Sequence, residues 1–229
     1  MGARPHLSSA NPLPHLEFVT DRHERLRSAH LYLVCDDQPE RFLHAVLQAG
    51  VDLVQLRMKD APDPQIVAAG RRFAAAAAKH GALFILNDRP DLVDATSADG
   101  VHVGQDDTGV DDARAAIGPH RLIGLSTHSP EQVDAAANAG VDYFAVGPIH
   151  ETPTKPGRPA VGLELVRYAA AHATVPFFAI GGINTSNVTA VADAGATRIA
   201  VVRALTESAR PDAAARRLRT AITAGVRVG

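Results

Sequence analysis

The sequence predicts an α/β fold, a single closed (β/α)8 barrel of the TIM type, and three observations support this. Apolar runs of strand length alternate with helix-length stretches from residue 31 to about residue 207. These runs number eight, the strand count of such a barrel. An Ala-Gly joint before a buried strand recurs in AGVDLVQL (49–56), AGVDYFAV (139–146) and AGATRIAV (194–201). A doubly wound open sheet is disfavoured, because the sequence has no early G-x-G-x-x-G fingerprint and the count of eight is complete.

The predicted elements follow in order along the chain. The strands are LYLVC (31–35), LVQLRMK (53–59), LFILND (83–88), GVHVG (100–104), LIGLST (122–127), YFAVGPI (143–149), PFFAIGGI (176–183) and IAVVRAL (199–205). The helices between them include residues 39–50, 64–81, 130–140 and 186–196, which mostly end at a Gly suited to stopping a helix. Residues 1–28 are expected to form a partly helical N-terminal extension, with a helix from about His15 to Arg27 against the closed end. Residues 29–229 form the barrel domain.

Composition restricts the class of protein and its partners. Aromatic residues make up only 4% of the 229 residues, so Ala, Val, Leu and Ile must fill the core. A formal net charge of −2 gives no sign of a nucleic-acid partner, and neither a membrane-spanning run nor a signal peptide is found. The single cysteine, Cys35, excludes an intramolecular disulfide and is expected to be a small buried residue. We expect a cytoplasmic protein that binds small molecules, and a homo-oligomer is compatible with the Ala-rich helices.

Three polar residues on the second strand are not explained by a packed apolar barrel core. Gln55, Arg57 and Lys59 alternate along the strand and therefore share the face that points inward. Two cations in a closed core would be very costly without partners. They fit the C-terminal mouth of the barrel, where active sites lie and an anion can meet them. An internal salt-bridge network is the alternative, and ligand binding is favoured over it.

Carboxylates follow the next two strands. Asn87 and Asp88 end the third strand, and the fourth runs into Asp106 and Asp107. Neighbouring strand ends lie close together, so Asp88 is expected to face Asp106 or Asp107. Paired carboxylates beside cations predict Mg²⁺ bound together with a diphosphate. The alternative is that Asp88 and Asp107 each cap a following helix.

The late strands indicate a second phosphate site. Residues 150–159 (HETPTKPGRP) follow the sixth strand and carry Thr152, Thr154 and Lys155, which fits either a lid over phosphates or an ordinary turn. Gly181-Gly182 ends the seventh strand before a helix cap near Thr185 or Ser186, and Val202-Arg203 ends the eighth. Many barrels hold phosphate on backbone N–H groups after these two strands. Two phosphate-bearing ligands in one mouth suggest a transfer or condensation reaction.

Several motifs in order resemble the thiamine phosphate synthase family. They are Q-x-R-x-K (55–59), N-D (87–88), G-V-H-x-G-Q-x-D (100–107), G-x-S (124–126), G-P-I-x-x-T-x-T-K (147–155) and G-G-I (181–183). The match covers roughly residues 30–207. The resemblance implies a transferase that condenses hydroxymethylpyrimidine diphosphate with hydroxyethylthiazole phosphate and releases pyrophosphate.

The resemblance also implies roles for individual residues. The pyrimidine diphosphate would be held by Gln55, Arg57, Lys59, Asn87, Ser126 and Lys155. The thiazole phosphate would be held by Thr152, Thr154, Gly182, Val202 and Arg203. Mg²⁺ would be bound by Asp88 and Asp107. The catalytic groups would be Arg57, Lys59, Lys155 and Ser126, and the implied mechanism is dissociative, with pyrophosphate leaving before the thiazole nitrogen attacks. Met58 and Arg203 stand where the family commonly has Glu and Ser, and Arg203 leaves the phosphate geometry open.

Other interpretations remain beside this one. A thiazole tautomerase-like homologue would bind the thiazole phosphate but would have little use for the carboxylates and cations. Another phosphate-binding barrel enzyme would need an acid–base pair at the strand ends, which is not found. A non-catalytic regulator on the same scaffold is the third. His102 is inward on the fourth strand and is interpreted either as a substrate contact or as a hydrogen-bonded core histidine; His128 and His150 are interpreted as rim residues.

Overall fold

Eight parallel strands form one closed barrel, which confirms the predicted fold. The chain is described from a computed structural model, which covers residues 22–152 and 159–224. Each strand pairs with the next along the chain, and β8 pairs with β1 to close the barrel. The strands are β1 (Leu31–Cys35), β2 (Leu53–Leu56), β3 (Leu83–Asn87), β4 (Gly100–Val103), β5 (Leu122–Thr127), β6 (Tyr143–Val146), β7 (Phe177–Ile180) and β8 (Ile199–Val201).

Helices alternate with the strands and cover the outside of the barrel. They are α1 (residues 22–28), α2 (Glu40–Gln48), α3 (Asp63–Lys79), α4 (Val93–Thr96), α5 (Val110–Ile117), α6 (Pro130–Asn138), α7 (Gly162–His172), α8 (Val188–Asp193), α9 (Arg203–Thr206) and α10 (Pro211–Ala224). A 3₁₀ turn, Pro90–Leu92, precedes α4. Within the described residues, no helix is long and apolar enough to cross a membrane.

Six of the eight predicted strands, all except β1 and β5, were drawn too long, and two of the six affect site residues. β2 ends at Leu56, so Arg57 and Lys59 lie in the loop after it. β8 ends at Val201, and Arg203 is the first residue of α9 rather than the end of a strand. The predicted cap at Thr185 or Ser186 was also wrong, because α8 begins at Val188 and its N-cap residue is Asn187. In the turn before it, the Asn184 side chain accepts hydrogen bonds from the N–H and the hydroxyl of Ser186. Asn is strongly favoured at such turns because its side chain replaces a backbone acceptor.

Alternation along the strands separates two apolar cores. The larger core lies between the barrel and the helices and includes Cys35. Burial raises the pKa of the Cys35 thiol, so this residue is an inert core residue, as expected. The smaller core fills the barrel itself and consists mainly of Leu26, Tyr32, Val34, Leu53, Leu83, Ile85, Leu122, Tyr143, Phe178 and Ala200.

Three aspartates organise the N-terminal end of the barrel. Asp52, Asp99 and Asp142 directly precede the even-numbered strands β2, β4 and β6. Each accepts a backbone N–H at the start of the preceding odd-numbered strand: Leu31, Phe84 and Ile123. Each also pairs with a cation: Asp52 with Arg219, Asp99 with Arg22, and Asp142 with Arg114. Charged acceptors therefore satisfy strand N–H groups where the ladder begins.

Helix α1 lies across this same end. Leu26 is 2% exposed and packs with the inner core, while Arg22 and His23 contact Asp99 and Asp142 at 2.8 Å. Residues 22–27 of the predicted His15–Arg27 helix therefore lie against the closed end of the barrel, as expected. Residues 1–21 lie outside the described part.

Candidate active site

A cavity of about 350 Å³ opens at the C-terminal mouth of the barrel. All predicted site residues that the structure describes line it: Gln55, Arg57, Lys59, Asn87, Asp88, Asp107, Ser126, Thr152, Gly182, Val202 and Arg203. Thr154 and Lys155 lie outside the described residues. The mouth therefore brings together residues from both ends of the chain, as a barrel predicts. Their individual roles stay predictions.

The acidic side of the cavity carries two carboxylates close together. Burial raises the pKa of the Asp88 carboxyl above its ordinary value, and the neighbouring Asp107 carboxylate raises it further. Lys59 opposes this shift, since its Nζ lies 3.2 Å from Asp88 Oδ2. Asn87 Nδ2 also donates to Asp88 Oδ2 at 2.6 Å. Two like charges held together in a half-buried place are the kind of site that a divalent cation relieves.

Neither aspartate caps a helix. The residues at the N-caps of the 3₁₀ turn and of α5 are Arg89 and Gly109, and neither element has a side-chain cap. Asp107 Oδ2 instead accepts the Gly104 N–H at 3.0 Å, which closes the loop after β4. Asp88 has a left-handed φ of 58°, an uncommon conformation that Asp tolerates better than most residues.

Two carboxylates suffice for the predicted metal. No cluster of three or more His, Cys, Asp or Glu residues suited to a metal occurs in the described part of the chain. Mg²⁺ commonly uses only one or two protein carboxylates and takes its remaining oxygen ligands from water and substrate phosphates. The oxygen donors of Asp88 and Asp107 therefore fit Mg²⁺, which stays a prediction.

The cationic side lies directly after β2. Gln55 is buried in the strand, and Arg57 extends the ladder by one residue because its N–H donates to the Cys35 carbonyl at 2.8 Å. Within residues 22–152 and 159–224, Arg57 has no carboxylate partner, which argues against the alternative of an internal salt-bridge network. Lys59 is paired with a residue of the cavity itself, Asp88. Both cations are thus directed to the mouth.

The opposite side of the cavity is built from glycine and the start of α9. Gly182 has a φ of 64°, and a Cβ there would lie 2.7 Å from the His150 Cβ. Only glycine fits such a left-handed position under a close loop. The Gly182 carbonyl is held by Asn187 Nδ2 at 3.0 Å. Arg203 also lines the cavity, and its Nη1 lies 3.8 Å from Glu207 Oε2, one helical turn along α9.

Several residues that line the cavity were not predicted from the sequence. Tyr32 and Asn184 are among them, and Tyr143 lies just behind the lining. The signal for both tyrosines was present, because each lies at an inward position of its strand. His102 is hydrogen-bonded to Tyr143 and Ser126 and also lines the cavity, so both interpretations of it describe part of its surroundings.

Comparison with known proteins gives a consistent result. The family model described as thiamine monophosphate synthase matches residues 31–205. The thiamine-phosphate synthase of Mycobacterium bovis (strain BCG / Pasteur 1173P2) is 50% identical over 216 residues, covering 87% of this chain and 97% of the relative. That of Acidothermus cellulolyticus is 50% identical over 197 residues, covering 83% of this chain and 93% of the relative.

Solved structures agree in fold. Thiamine phosphate pyrophosphorylase from Pyrococcus furiosus has a TM-score of 0.80 at 29% identity, covering 91% of this chain and all (100%) of that chain. The 3-hexulose-6-phosphate synthase from Salmonella typhimurium has a TM-score of 0.63 at 18% identity, covering 86% of this chain and 99% of that one, a likeness of fold alone. With its barrel, its cavity residues and these relatives taken together, the chain belongs to the thiamine monophosphate synthase family of transferases.

Proposed function

We propose that the chain condenses 4-amino-2-methyl-5-hydroxymethylpyrimidine diphosphate with 4-methyl-5-hydroxyethylthiazole phosphate to give thiamine phosphate and pyrophosphate. The observation that carries this proposal is the carboxylate pair. A half-buried Asp88 whose pKa is raised by burial and by Asp107, beside Lys59 and Arg57, suits a diphosphate accompanied by a divalent cation. A site for a single phosphate monoester has little need for such a pair.

Each side of the cavity would bind one of the two substrates. Arg57, Lys59 and Lys155 would bind the diphosphate, and Gln55, Asn87 and Ser126 the rest of the pyrimidine substrate. Gly182, Val202 and Arg203 would bind the thiazole phosphate, together with Thr152 and Thr154. One cavity of about 350 Å³ then holds both reacting carbon and nitrogen atoms at short range, which reduces the entropic barrier of a two-substrate reaction.

The reaction requires charge stabilisation rather than a base. The C–O bond to the diphosphate breaks, and pyrophosphate leaves with the bonding electrons, so a pyrimidine-stabilised cation forms. The lone pair of the thiazole nitrogen then forms the new C–N bond, and no proton must be lost. Arg57 and Lys59 stabilise the negative charge that grows on the departing oxygen. Mg²⁺ held by Asp88 and Asp107 would add positive charge at the same diphosphate.

The test is formation of thiamine phosphate from both substrates with and without Mg²⁺, followed by chromatography. Asp88→Asn is a more specific test than Asp88→Ala. Asn tolerates the left-handed φ of 58°, so the charge is removed without added backbone strain. Asp111→Asn, an exposed carboxylate in the first turn of α5, is the matched control. We expect Mg²⁺-dependent product that falls at least about 100-fold in Asp88→Asn and is unchanged in Asp111→Asn.

The alternative predicts a different result. A thiazole tautomerase-like or regulatory homologue would bind the thiazole phosphate and form no thiamine phosphate. Folded protein that binds thiazole phosphate but forms no product with Mg²⁺ present would contradict the proposal and favour this alternative.

A further inference from the structure

A continuous chain of hydrogen bonds crosses the inside of the barrel beneath the cavity. Gln55 Nε2 donates to the Tyr32 hydroxyl at 2.5 Å, and this hydroxyl lies 3.0 Å from that of Tyr143. The Tyr143 hydroxyl lies 3.2 Å from His102 Nδ1, and His102 Nε2 lies 3.0 Å from Ser126 Oγ. These five side chains, which we call the polar chain, come from five strands: β1, β2, β4, β5 and β6.

The polar chain is buried along its whole length. Its five members are between 0% and 7% exposed. Four of the five also line the cavity, namely Gln55, Tyr32, His102 and Ser126. Tyr143 is fully buried behind them. A buried polar group without a hydrogen-bond partner costs free energy of folding. Loss of any one hydrogen bond in the polar chain would therefore destabilise the protein.

Each hydroxyl has one proton, so the direction of donation passes along the polar chain. When Gln55 donates to Tyr32, Tyr32 donates to Tyr143, Tyr143 donates to His102 Nδ1, and His102 Nε2–H donates to Ser126. The Ser126 proton is then available to the cavity, while Gln55 presents its carbonyl oxygen. The reverse direction would require the Gln55 amide to turn over, so that its oxygen accepts from Tyr32; Gln55 would then present its amide N–H groups and Ser126 only lone pairs. In either direction the two ends present opposite polarity to a ligand.

Gly124 makes the central link of the polar chain geometrically possible. A Cβ at Gly124 would lie 2.5 Å from both the Tyr143 hydroxyl and His102 Nδ1, and 2.2 Å from Tyr143 Cζ. Gly124 pairs in register with His102 on one side and with Tyr143 on the other. The first residue of the G-x-S motif thus leaves room for the hydrogen bond that connects to its last residue, Ser126.

We propose that Tyr143 is a positioning residue that couples Gln55 and Ser126 into one recognition unit for the pyrimidine substrate. A 4-aminopyrimidine carries an amino donor and ring-nitrogen acceptors on one ring, which matches an acceptor at Gln55 and a donor at Ser126. Tyr143 fixes this opposite polarity from behind the cavity without touching the ligand. The inference rests on the proposed function, because the pyrimidine diphosphate is the ligand that is recognised.

The experiment measures each substrate separately in Tyr143→Phe. The ring stays in place against Tyr32 and Phe178, and only the hydroxyl is lost. We expect the KM for the pyrimidine diphosphate to rise about tenfold and the KM for the thiazole phosphate to stay within about twofold. Tyr168→Phe is the matched control, since it removes a surface hydroxyl bound to Asp134, and it should change neither KM. Gly124→Ala would displace His102 as well as Tyr143, so it should raise the KM for the pyrimidine diphosphate at least as much as Tyr143→Phe does.

A double-mutant cycle tests the coupling itself. The affinity for the pyrimidine diphosphate is measured by calorimetry without thiazole phosphate, for Gln55→Met, Ser126→Ala and the double variant. We expect the two losses to be non-additive in free energy with Tyr143 present and additive in the Tyr143→Phe background. Additive losses in both backgrounds, or a rise of both KM values together, would overturn the inference while leaving an active enzyme. A wild-type protein that does not bind the pyrimidine diphosphate would overturn the proposed function first, and the inference with it.

Discussion

Lys59 Nζ lies 3.2 Å from Asp88 Oδ2, so one carboxylate of the predicted metal site is already partly neutralised by a cation of the predicted diphosphate site. Removal of the Lys59 ammonium group should have opposite effects on Mg²⁺ binding and on catalysis. In Lys59→Gln, Mg²⁺ binding without substrate should become several-fold tighter, because a competing cation is lost. The kcat/KM should nevertheless fall about 100-fold or more, because charge on the leaving diphosphate is stabilised less. Calorimetry and steady-state rates test the two effects.

Lys79→Gln is the control for that variant, since Lys79 lies at the end of α3, away from the cavity. It should leave both quantities unchanged. Weaker Mg²⁺ binding in Lys59→Gln would contradict the assignment of Asp88 as a metal ligand.

Stability should depend on pH through Asp88. Burial and Asp107 raise the pKa of Asp88 above its ordinary value of 3.8, so the folded state holds this proton more tightly than the unfolded state. The stability from this group is therefore present below the unfolded pKa and is lost as the pH rises through the higher folded pKa. The free energy of unfolding of the wild type minus that of Asp88→Asn should fall over this window without Mg²⁺. Denaturant titrations at a series of pH values measure it.

Asp107→Asn provides the complementary result. Removal of the neighbouring charge should lower the pKa of Asp88, so the fall should move to lower pH and become smaller. A difference curve that keeps the same position and size after Asp107→Asn would contradict the interaction between the two carboxylates, whereas a flat curve in the wild-type background would contradict the raised pKa of Asp88 itself.

Gly182→Ala should impair one substrate selectively. The left-handed φ of 64° costs about 1 kcal/mol for Ala, and the new Cβ must displace the His150 Cβ at 2.7 Å. We expect the KM for thiazole phosphate to rise about tenfold, with the KM for the pyrimidine diphosphate little changed. Gly140→Ala is the matched control, because it has a similar φ of 71° but no atom within 4 Å of the new Cβ. Gly140→Ala should lower the free energy of unfolding without changing either KM. Equal effects of the two variants on the KM for thiazole phosphate would contradict a local role of Gly182 at the phosphate.

The aspartates at the closed end should matter for stability and not for chemistry. Asp52 accepts the N–H groups of His30 and Leu31 and pairs with Arg219. Asp52→Ala should therefore lower the free energy of unfolding by about 2–3 kcal/mol, since it leaves several partners unsatisfied. Glu164→Ala removes an exposed ion pair with Arg167 and should cost no more than about 0.5 kcal/mol. Urea titration compares the two, and rates per folded molecule should match the wild type.

Much of the site was predictable because alternation along a strand fixes which side chains point inward. Gln55 was placed on the cavity in this way, whereas Ser126, which also lines it, was named from the family resemblance through the G-x-S motif. Arg57 was placed on the cavity by an argument from strand alternation although β2 ends before it. Arg57 nevertheless keeps the inward direction of the alternation, because its N–H continues the hydrogen-bond ladder to the Cys35 carbonyl.

The remainder depends on tertiary geometry that one sequence does not encode locally. Alternation gives the face of Tyr32 and Tyr143 but not their depth, which is set by the relative stagger of β1 and β6 across the barrel. Their hydroxyls meet over a sequence separation of 111 residues. Arg203 was assigned to a strand because IAVVRAL is apolar apart from this arginine. Short apolar runs do not distinguish the end of a strand from the first turn of a helix.

The closure of β8 onto β1 has a consequence for how copies of this chain can associate. A closed sheet has no free edge, and an edge is where strands of one molecule add to those of another. Any self-association through the described residues must therefore use side chains of the helices and loops. Such contacts can be altered one residue at a time, without disturbing the hydrogen-bonded ring that supports the cavity.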